Sequence, residues 1–370
     1  MSALFSPIQL RGLALKNRIM VAPMCQYSAV NGEANDWHFT HINNLALSGA
    51  AMFCIEATAV EAIGRITPGC LGLWNDATEA ALRPVIASVR KHSKTAIALQ
   101  LAHAGRKASS HTPWDGGQLI PPADGGWQPE GPSAVPHKEG ETAPLAFDEA
   151  GLARVREAFV ATTRRAARLG LDALEVHCAH GYLLHQFLSP IANRRTDQYG
   201  GSVQNRMRFP LDVFAAVRAA FPTDRPVGLR VSATDWVEGG WDLPQTIEFA
   251  RELKKLDIDW IDVSSGGVSP LQKIALGPGY QVPFAQAVKE ATGLTTMAVG
   301  LITEPKQAEE IVASGKADMV ALARGMLYDP RWGWHAAAEL GGTVDVPPQY
   351  WRSQPATQKA LFGATTFGAR

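Results

Sequence analysis

Residues 174–182 read LEVHCAHGY, an apolar run that ends in a cluster of polar groups. Leu174 and Val176 alternate with Ala173, Glu175 and His177, which is the period-2 pattern of a strand. His177, His180 and Tyr182 therefore sit at that strand's carboxyl end, with Gly181 as a turn. In a parallel α/β barrel this end carries the active-site loops, so two imidazoles and a phenol there point to catalysis rather than to structure. Together they can hold and protonate a small electron-poor molecule while another group supplies electrons.

Working outward, short apolar runs with strand character recur at 19–21, 52–57, 96–101, 173–177, 227–232, 260–264, 296–299 and 319–323. Segments with helical spacing follow them at 38–47, 80–91, 149–169, 206–220, 244–256, 283–292, 305–314 and 330–340. Several open with Pro in the first turn, where its missing N–H costs nothing. Strand followed by helix eight times over predicts an α/β fold, a (β/α)8 TIM barrel, spanning 1–370 as a single domain. Residues 102–148, rich in Gly and Pro, leave the third strand on the same rim as His177 and predict a lid-like insertion. The C-terminal tail, 341–370, lacks periodicity but carries Tyr350, Trp351, Arg352 and Phe367. A free end normally has fewer aromatics, so the tail is expected to pack on something, a neighbouring subunit being one choice.

Composition narrows the function. Lys plus Arg total 35 and Asp plus Glu total 35, so the basic surplus that meets nucleic-acid phosphates is missing. The N-terminal stretch is broken by charges before any signal-like run, and the apolar stretch 45–60 is interrupted by Ser48 and Glu56. No membrane and a cytoplasmic location are expected. Cys25, Cys54, Cys70 and Cys178 have no Cys-x-x-Cys spacing, which signals neither a metal cluster nor a disulfide framework.

The other strand ends add Pro23, Met24, Cys25, Gln26 and Tyr27; Glu56, Ala57 and Thr58; Gln100, His103, Arg106 and Lys107; Arg230; and Ser264 to Gly267. The last two end in Gly300 and in Ala323, Arg324 and Gly325. Backbone N–H groups of VGLIT (299–303) and ALARGM (321–326) suit a phosphate, although glycine also ends strands for steric reasons, and spacing leaves both open. No GxGxxG follows a strand, so a Rossmann dinucleotide site is not indicated. Zinc at His177 and His180 is disfavoured, because residues three apart do not share a strand face and no third ligand completes a set. His38, His41, His103 and His185 read as hydrogen-bonded structural residues, and Arg206 and Arg208 as a helix start pairing with carboxylates. Lys107 suits a nicotinamide or flavin contact and a solvated loop charge equally.

PMCQY at 23–27, EATAV at 56–60, QLAHAGRKA at 100–108, EVHCAHGYLLHQFLSP at 175–190 and NRRTDQYGGSVQNRMRF at 193–209 resemble the Old Yellow Enzyme family of FMN-dependent ene-reductases. Cys25 is similar to the cysteine of the thermophilic-like branch. The resemblance implies FMN across the barrel mouth, its phosphate at Gly300 and Arg324, with Ala323 among the cofactor contacts. It further implies Gln100 on the pyrimidine edge, Arg230 facing N1 and O2, Pro23, Met24 and Ala57 against the ring, and Cys25 near N5 and O4, where its thiol modulates the redox potential. His177 and His180 would bind the substrate oxygen, Tyr182 would protonate the α-carbon, and Tyr27 would line the pocket. NADPH or NADH would be the reductant and activated alkenes the substrates, with ping-pong kinetics. The branch also implies a homodimer or a dimer of dimers in which Arg352 reaches the neighbouring subunit's site. Rival readings are a dihydrouridine synthase, a dienoyl-CoA reductase, a non-catalytic barrel for a phosphorylated ligand and a metal hydrolase.

Overall fold

Eight strands pair in parallel around a closed barrel in the computed structural model, which describes residues 2–365. Before the barrel, β1 (Ile8–Leu10) and β2 (Leu13–Leu15) form an antiparallel hairpin. The first half then runs β3 (Ile19–Val21), α1 (Asp36–Ala46), β4 (Met52–Ala59), α2 (Asp76–His92) and β5 (Ala96–Ala102). The insertion contributes a two-residue pair, β6 (Glu130–Gly131) and β7 (Leu145–Ala146), before α3 (Glu149–Arg168). The second half runs β8 (Ala173–Cys178), α4 (Leu183–Leu188), α5 (Val203–Ala220), β9 (Val227–Ser232), α6 (Leu243–Lys255), β10 (Trp260–Ser264) and α7 (Val282–Thr292). It ends with β11 (Thr296–Ala298), α8 (Pro305–Ala313), β12 (Met319–Leu322), α9 (Arg324–Tyr328) and α10 (Trp332–Leu340). Going round the barrel the strands follow chain order, and β12 closes on β3.

Alternation along the strands sorts side chains into two cores. Outward residues such as Leu99, Val176, Leu229 and Ile261 join helix residues such as Phe159, Phe214 and Phe249 in the main apolar core. Inward residues near the strand starts, Met20, Met52, Ala96, Ala173, Trp260, Met297 and Met319, fill the barrel floor, which Leu10 and Leu15 of the hairpin cap. Trp260 fits because β9 offers Gly228 opposite it, where a Cβ would lie 2.1 Å from the indole. With the floor sealed by hydrocarbon, polar groups have room at the upper end alone. Among the described residues no helix is long and apolar enough to cross a membrane.

The insertion is fastened rather than loose. Trp127 Nε1 donates to Ile63 O at 2.9 Å, and the Arg65 guanidinium lies 4.9 Å from the Trp127 ring and 5.6 Å from that of Trp74. The tail packs on its own chain. Val344 and Val346 join Leu361, Phe362 and Ala337 of α10 in a small apolar cluster, and Phe362 and Tyr350 stack edge-on against Trp334. With Asn17, Ala51 and Ala96 it lines a cavity of about 650 Å³ at the barrel end opposite the rim. Residues 366–370, Phe367 among them, lie outside the described residues.

Candidate active site

β8 carries His177 inward and ends at Cys178. His180 then adopts φ +58° and Gly181 φ +74°. A side chain at Gly181 is impossible, since its Cβ would fall 2.1 Å from Gly267 O. At His180 the left-handed backbone costs about 1–2 kcal/mol. The turn is held by His180 N donating to Ser232 Oγ and Gly181 N donating to His185 Nδ1, both at 2.9 Å. As a result the His177 and His180 rings lie 5.1 Å apart at 75°, and Tyr182 lies 5.1 Å from His177 at 65°. This corrects the expectation from strand faces: residues three apart on a strand would diverge, but here the strand stops and the turn brings the second imidazole back. Among the described residues no group of three or more ligand-type side chains is placed to hold a metal.

Burial sets the protonation of this trio. It pushes the pKa of both imidazoles well below 6.5, with Arg230 adding to the shift, so each ring is neutral. It pushes the Tyr182 phenol well above its usual range, so the phenol keeps its proton. His180 Nε2 lies 2.7 Å from Ser264 Oγ, whereas His177 Nδ1 is buried with no hydrogen-bond partner.

Arg230 of β9 stands beside His177 in register and is 7% exposed. Its Nε also lacks a hydrogen bond, lying 3.3 Å from Asp262 Oδ2. Gln100 opposes Glu175 and donates to its Oε1 at 2.8 Å. Ala57 sits where the β4–β5 register shifts between Ile55 and Thr58, and such bulges re-aim a strand beside active sites. The chain after β3 runs irregularly past Pro23 and Met24, whose carbonyl accepts from Gln26 Nε2. Cys25 is half-buried, and burial, with Cys70 and Glu56 nearby, holds its thiol protonated. Tyr27, at φ +52°, meets Trp114 of the insertion edge-on at 5.6 Å, which brings the insertion against the β3 end. Gly300 has φ +118° and no space for a Cβ, which would lie 2.7 Å from Gln281 Nε2. Next to it, Ala323 precedes α9 and Arg324 opens it.

Other expectations change. Lys107 is neither solvated nor aimed at open space: Nζ donates to His180 O at 2.9 Å and Gly267 O at 3.1 Å and lies 4.8 Å from the Tyr182 ring. Among the described residues Arg206 and Arg208 feel carboxylates only at a distance and make no direct ion pair. Arg206 donates to the Leu188 carbonyl and to Gln245 Oε1, and Arg208 to Gln198 O, because α5 begins against carbonyl-rich turns. His38, His103 and His185 are hydrogen-bonded as expected, to Asn35, Glu61 and Asp235. His41 instead stacks on Trp37 and meets Phe53 edge-on. Arg352 lies in the short turn 348–353, exposed, with the tail that packs away from its own chain's rim. Sequence reasoning passed over Glu175 and Asp262 as site groups; each carboxylate stands at an inward position of a mostly apolar strand, which was the available signal.

The unpartnered buried His177 Nδ1 and Arg230 guanidinium Nε at one mouth and a glycine-lined pair of loops fit a flat, anionic cofactor with hydrogen-bonding edges. Fold and site thus define a barrel oxidoreductase of the flavin class. Residues 3–341 match the NADH:flavin oxidoreductase / NADH oxidase family, and the chain belongs to it, as a member of the Old Yellow Enzyme family. It is 42% identical over 351 residues to the NADPH dehydrogenase of Geobacillus sp. (strain WCH70), covering 94% of this chain and 98% of that one. Among solved structures it is similar to morphinone reductase, with a TM-score of 0.76 and 28% identity over 94% of this chain and 91% of that one. Morphinone reductase in complex with tetrahydroNAD gives a TM-score of 0.75 and 27% identity, covering 93% and 92%. The protein is an NAD(P)H-dependent oxidoreductase with FMN as cofactor.

Proposed function

We propose that this enzyme is an ene-reductase that reduces the C=C bond of α,β-unsaturated carbonyl or nitro compounds. The observation that carries this is the trio of His177, His180 and Tyr182 rings, two neutral donors and a protonated phenol, gathered at the barrel mouth. FMN, when bound, would supply the hydride chemistry that links NADPH or NADH to the alkene. The two imidazoles donate to the carbonyl or nitro oxygen, where negative charge grows as the β-carbon is reduced, and so favour the transition state over the ground state. Tyr182 gives its phenolic proton to the α-carbon from the opposite side. Arg230 would lie by the flavin edge that gains negative charge, Gln100 by the pyrimidine edge, and Pro23, Met24, Cys25 and Ala57 by the ring. Gly300 and Arg324 would hold the phosphate, Ala323 would also contact the cofactor, and Tyr27 would border the substrate. A single pocket serves nicotinamide and alkene in turn, which gives ping-pong kinetics. The protein works as a homodimer or a dimer of dimers, with Arg352 at the neighbouring subunit's pocket.

Anaerobic stopped-flow tests the roles. Each variant is reduced with NADPH and then mixed with cyclohexenone. Loss of an oxygen-polarising donor costs on the order of 10²–10³ in rate and loss of a general acid ~10²–10⁴. An enone already polarised by its carbonyl depends less on the acid, so the double variant His177→Ala/His180→Ala is expected to reoxidise more slowly than Tyr182→Phe. Equal or reversed losses would remove the oxygen-binding role from the histidines.

A further inference from the structure

Two carboxylates share one guanidinium inside the barrel, just below the histidine pair. Glu175 lies two residues before His177 on β8, so both side chains face inward. Glu175 and Asp262 are each 0% exposed. Arg230, the cation that offsets both, is aligned with Asp262 across β9 and β10. Glu175 Oε1 accepts a hydrogen bond from the neutral amide of Gln100, and the neutral Trp260 indole also acts on Glu175 as a hydrogen-bond donor, while both Asp262 oxygens have no hydrogen-bond partner. The other groups packed here carry no compensating charge: the Cys54 thiol of β4, which burial keeps protonated, the Trp260 indole, and the two neutral imidazoles above. One positive charge thus faces two acids in a dry interior. A buried carboxylate without a counter-charge takes up a proton rather than stay ionised. Asp262 is the acid nearer the guanidinium, which leaves the proton to Glu175.

We propose that Glu175 is a redox-linked proton site: it holds a proton beneath the flavin while the cofactor is oxidised at neutral pH, and holds it more tightly once the cofactor is reduced. Burial first, then the Asp262 charge, pushes Glu175 up to about 8, with Arg230 and the hydrogen bonds from Gln100 and Trp260 pulling partly against them. The coupling rests on the placement of the flavin beside Arg230 given above, and not on the identity of the alkene. Negative charge on the reduced cofactor draws on the same guanidinium that restrains Glu175, so reduction raises the proton affinity of Glu175. By reciprocity, loss of that proton makes reduction harder. The balance is closed. Two electrons and one proton enter the cofactor as hydride; between the oxidised and reduced midpoints of Glu175 a second proton passes from solvent to its carboxylate, and reoxidation returns it.

The test is the flavin midpoint potential of the FMN-loaded enzyme as a function of pH, poised with mediator dyes. Wild type is expected to fall more steeply above about pH 8, whereas Glu175→Gln, which keeps the size and the amide contact, shows no such break. Asp262→Asn removes the like charge and moves the break to lower pH. Infrared spectroscopy of the oxidised protein, with or without FMN, should show a protonated carboxyl at neutral pH that Glu175→Gln eliminates. A wild-type slope without a break, the same break in Glu175→Gln, or a carboxyl band that survives that substitution would overturn the proposal. A protein that fails to reduce alkenes changes none of these readouts, so the two readings fail separately.

Discussion

A buried imidazole beside a guanidinium gives up its basicity, and at this site that loss is what keeps two ring N–H donors constant across pH. His177 and His180 are both pushed well below 6.5, by burial first and Arg230 next. The alkene half-reaction should therefore show no inflection near pH 6.5 in stopped-flow. The same shift has a stability consequence. In the unfolded chain these histidines bind protons as pH falls below 6.5, whereas in the folded chain they do not, so stability declines with falling pH in that window. Replacing both by Asn should flatten this part of the Tm–pH curve. Lys107 acts at the same scale. Its ammonium lies over the Tyr182 ring and fixes the His180 carbonyl, and burial, with Arg106 and Lys138 adding, lowers it to about 8. A partly desolvated cation–π contact is worth about 2 kcal/mol. Lys107→Met is thus expected to slow alkene reduction by roughly 30-fold, with Lys107→Arg restoring part of it, while flavin reduction by NADPH changes little.

At the scale of elements, legibility followed length and contrast. The eight barrel strands stand out because each is an apolar run bounded by turn residues, and the six residues of β9 are those the alternation gives. Short elements had no such signal. α4 is six residues, all buried, so it shows no amphipathic period, and the β1–β2 hairpin offers three residues a side among charges. Which groups sit on the rim was readable from strand ends. Which groups oppose one another was not, because the Glu175–Gln100 and Arg230–Asp262 pairings depend on register between strands far apart in sequence. The His180–Gly181 turn depends on another such contact. His185 of α4 pairs with Asp235, just past β9, at 2.8 Å, both side chains fully buried, and Ser189 and the Trp241 N–H complete the carboxylate's partners. Although burial opposes it, pairing with His185 holds Asp235 below its usual 3.8. Its contribution is therefore present above that value and lost as pH falls through the lower folded one. Asp235→Asn breaks a buried pair, and a loss of about 3–5 kcal/mol is expected in urea unfolding at neutral pH. Because His185 Nδ1 also anchors the Gly181 turn, the variant should lose alkene reduction as well.

For the whole molecule, the tail raises the question of which pocket Arg352 serves. Within one chain, residues 344–362 pack against α10 and the strand starts, the end opposite the histidine rim. Arg352 is exposed there and cannot reach its own chain's mouth without stripping Phe362 and Tyr350 from Trp334. A role in catalysis accordingly requires a second copy, and a second copy can be tested by complementation. Arg352→Ala is expected to raise KM for the alkene while leaving flavin reduction intact, and His177→Ala/His180→Ala to abolish alkene reduction. Neither homomer then has a complete pocket. In a mixed dimer the histidines of the first chain meet the arginine of the second, so one of the two pockets is whole. Co-refolded mixtures, purified through a different affinity tag on each chain, should recover up to about half of the wild-type rate at low alkene concentration, since one pocket in two is intact. A mixed dimer whose low-alkene rate stays at the mean of the two parents would confine Arg352 to packing within its own chain.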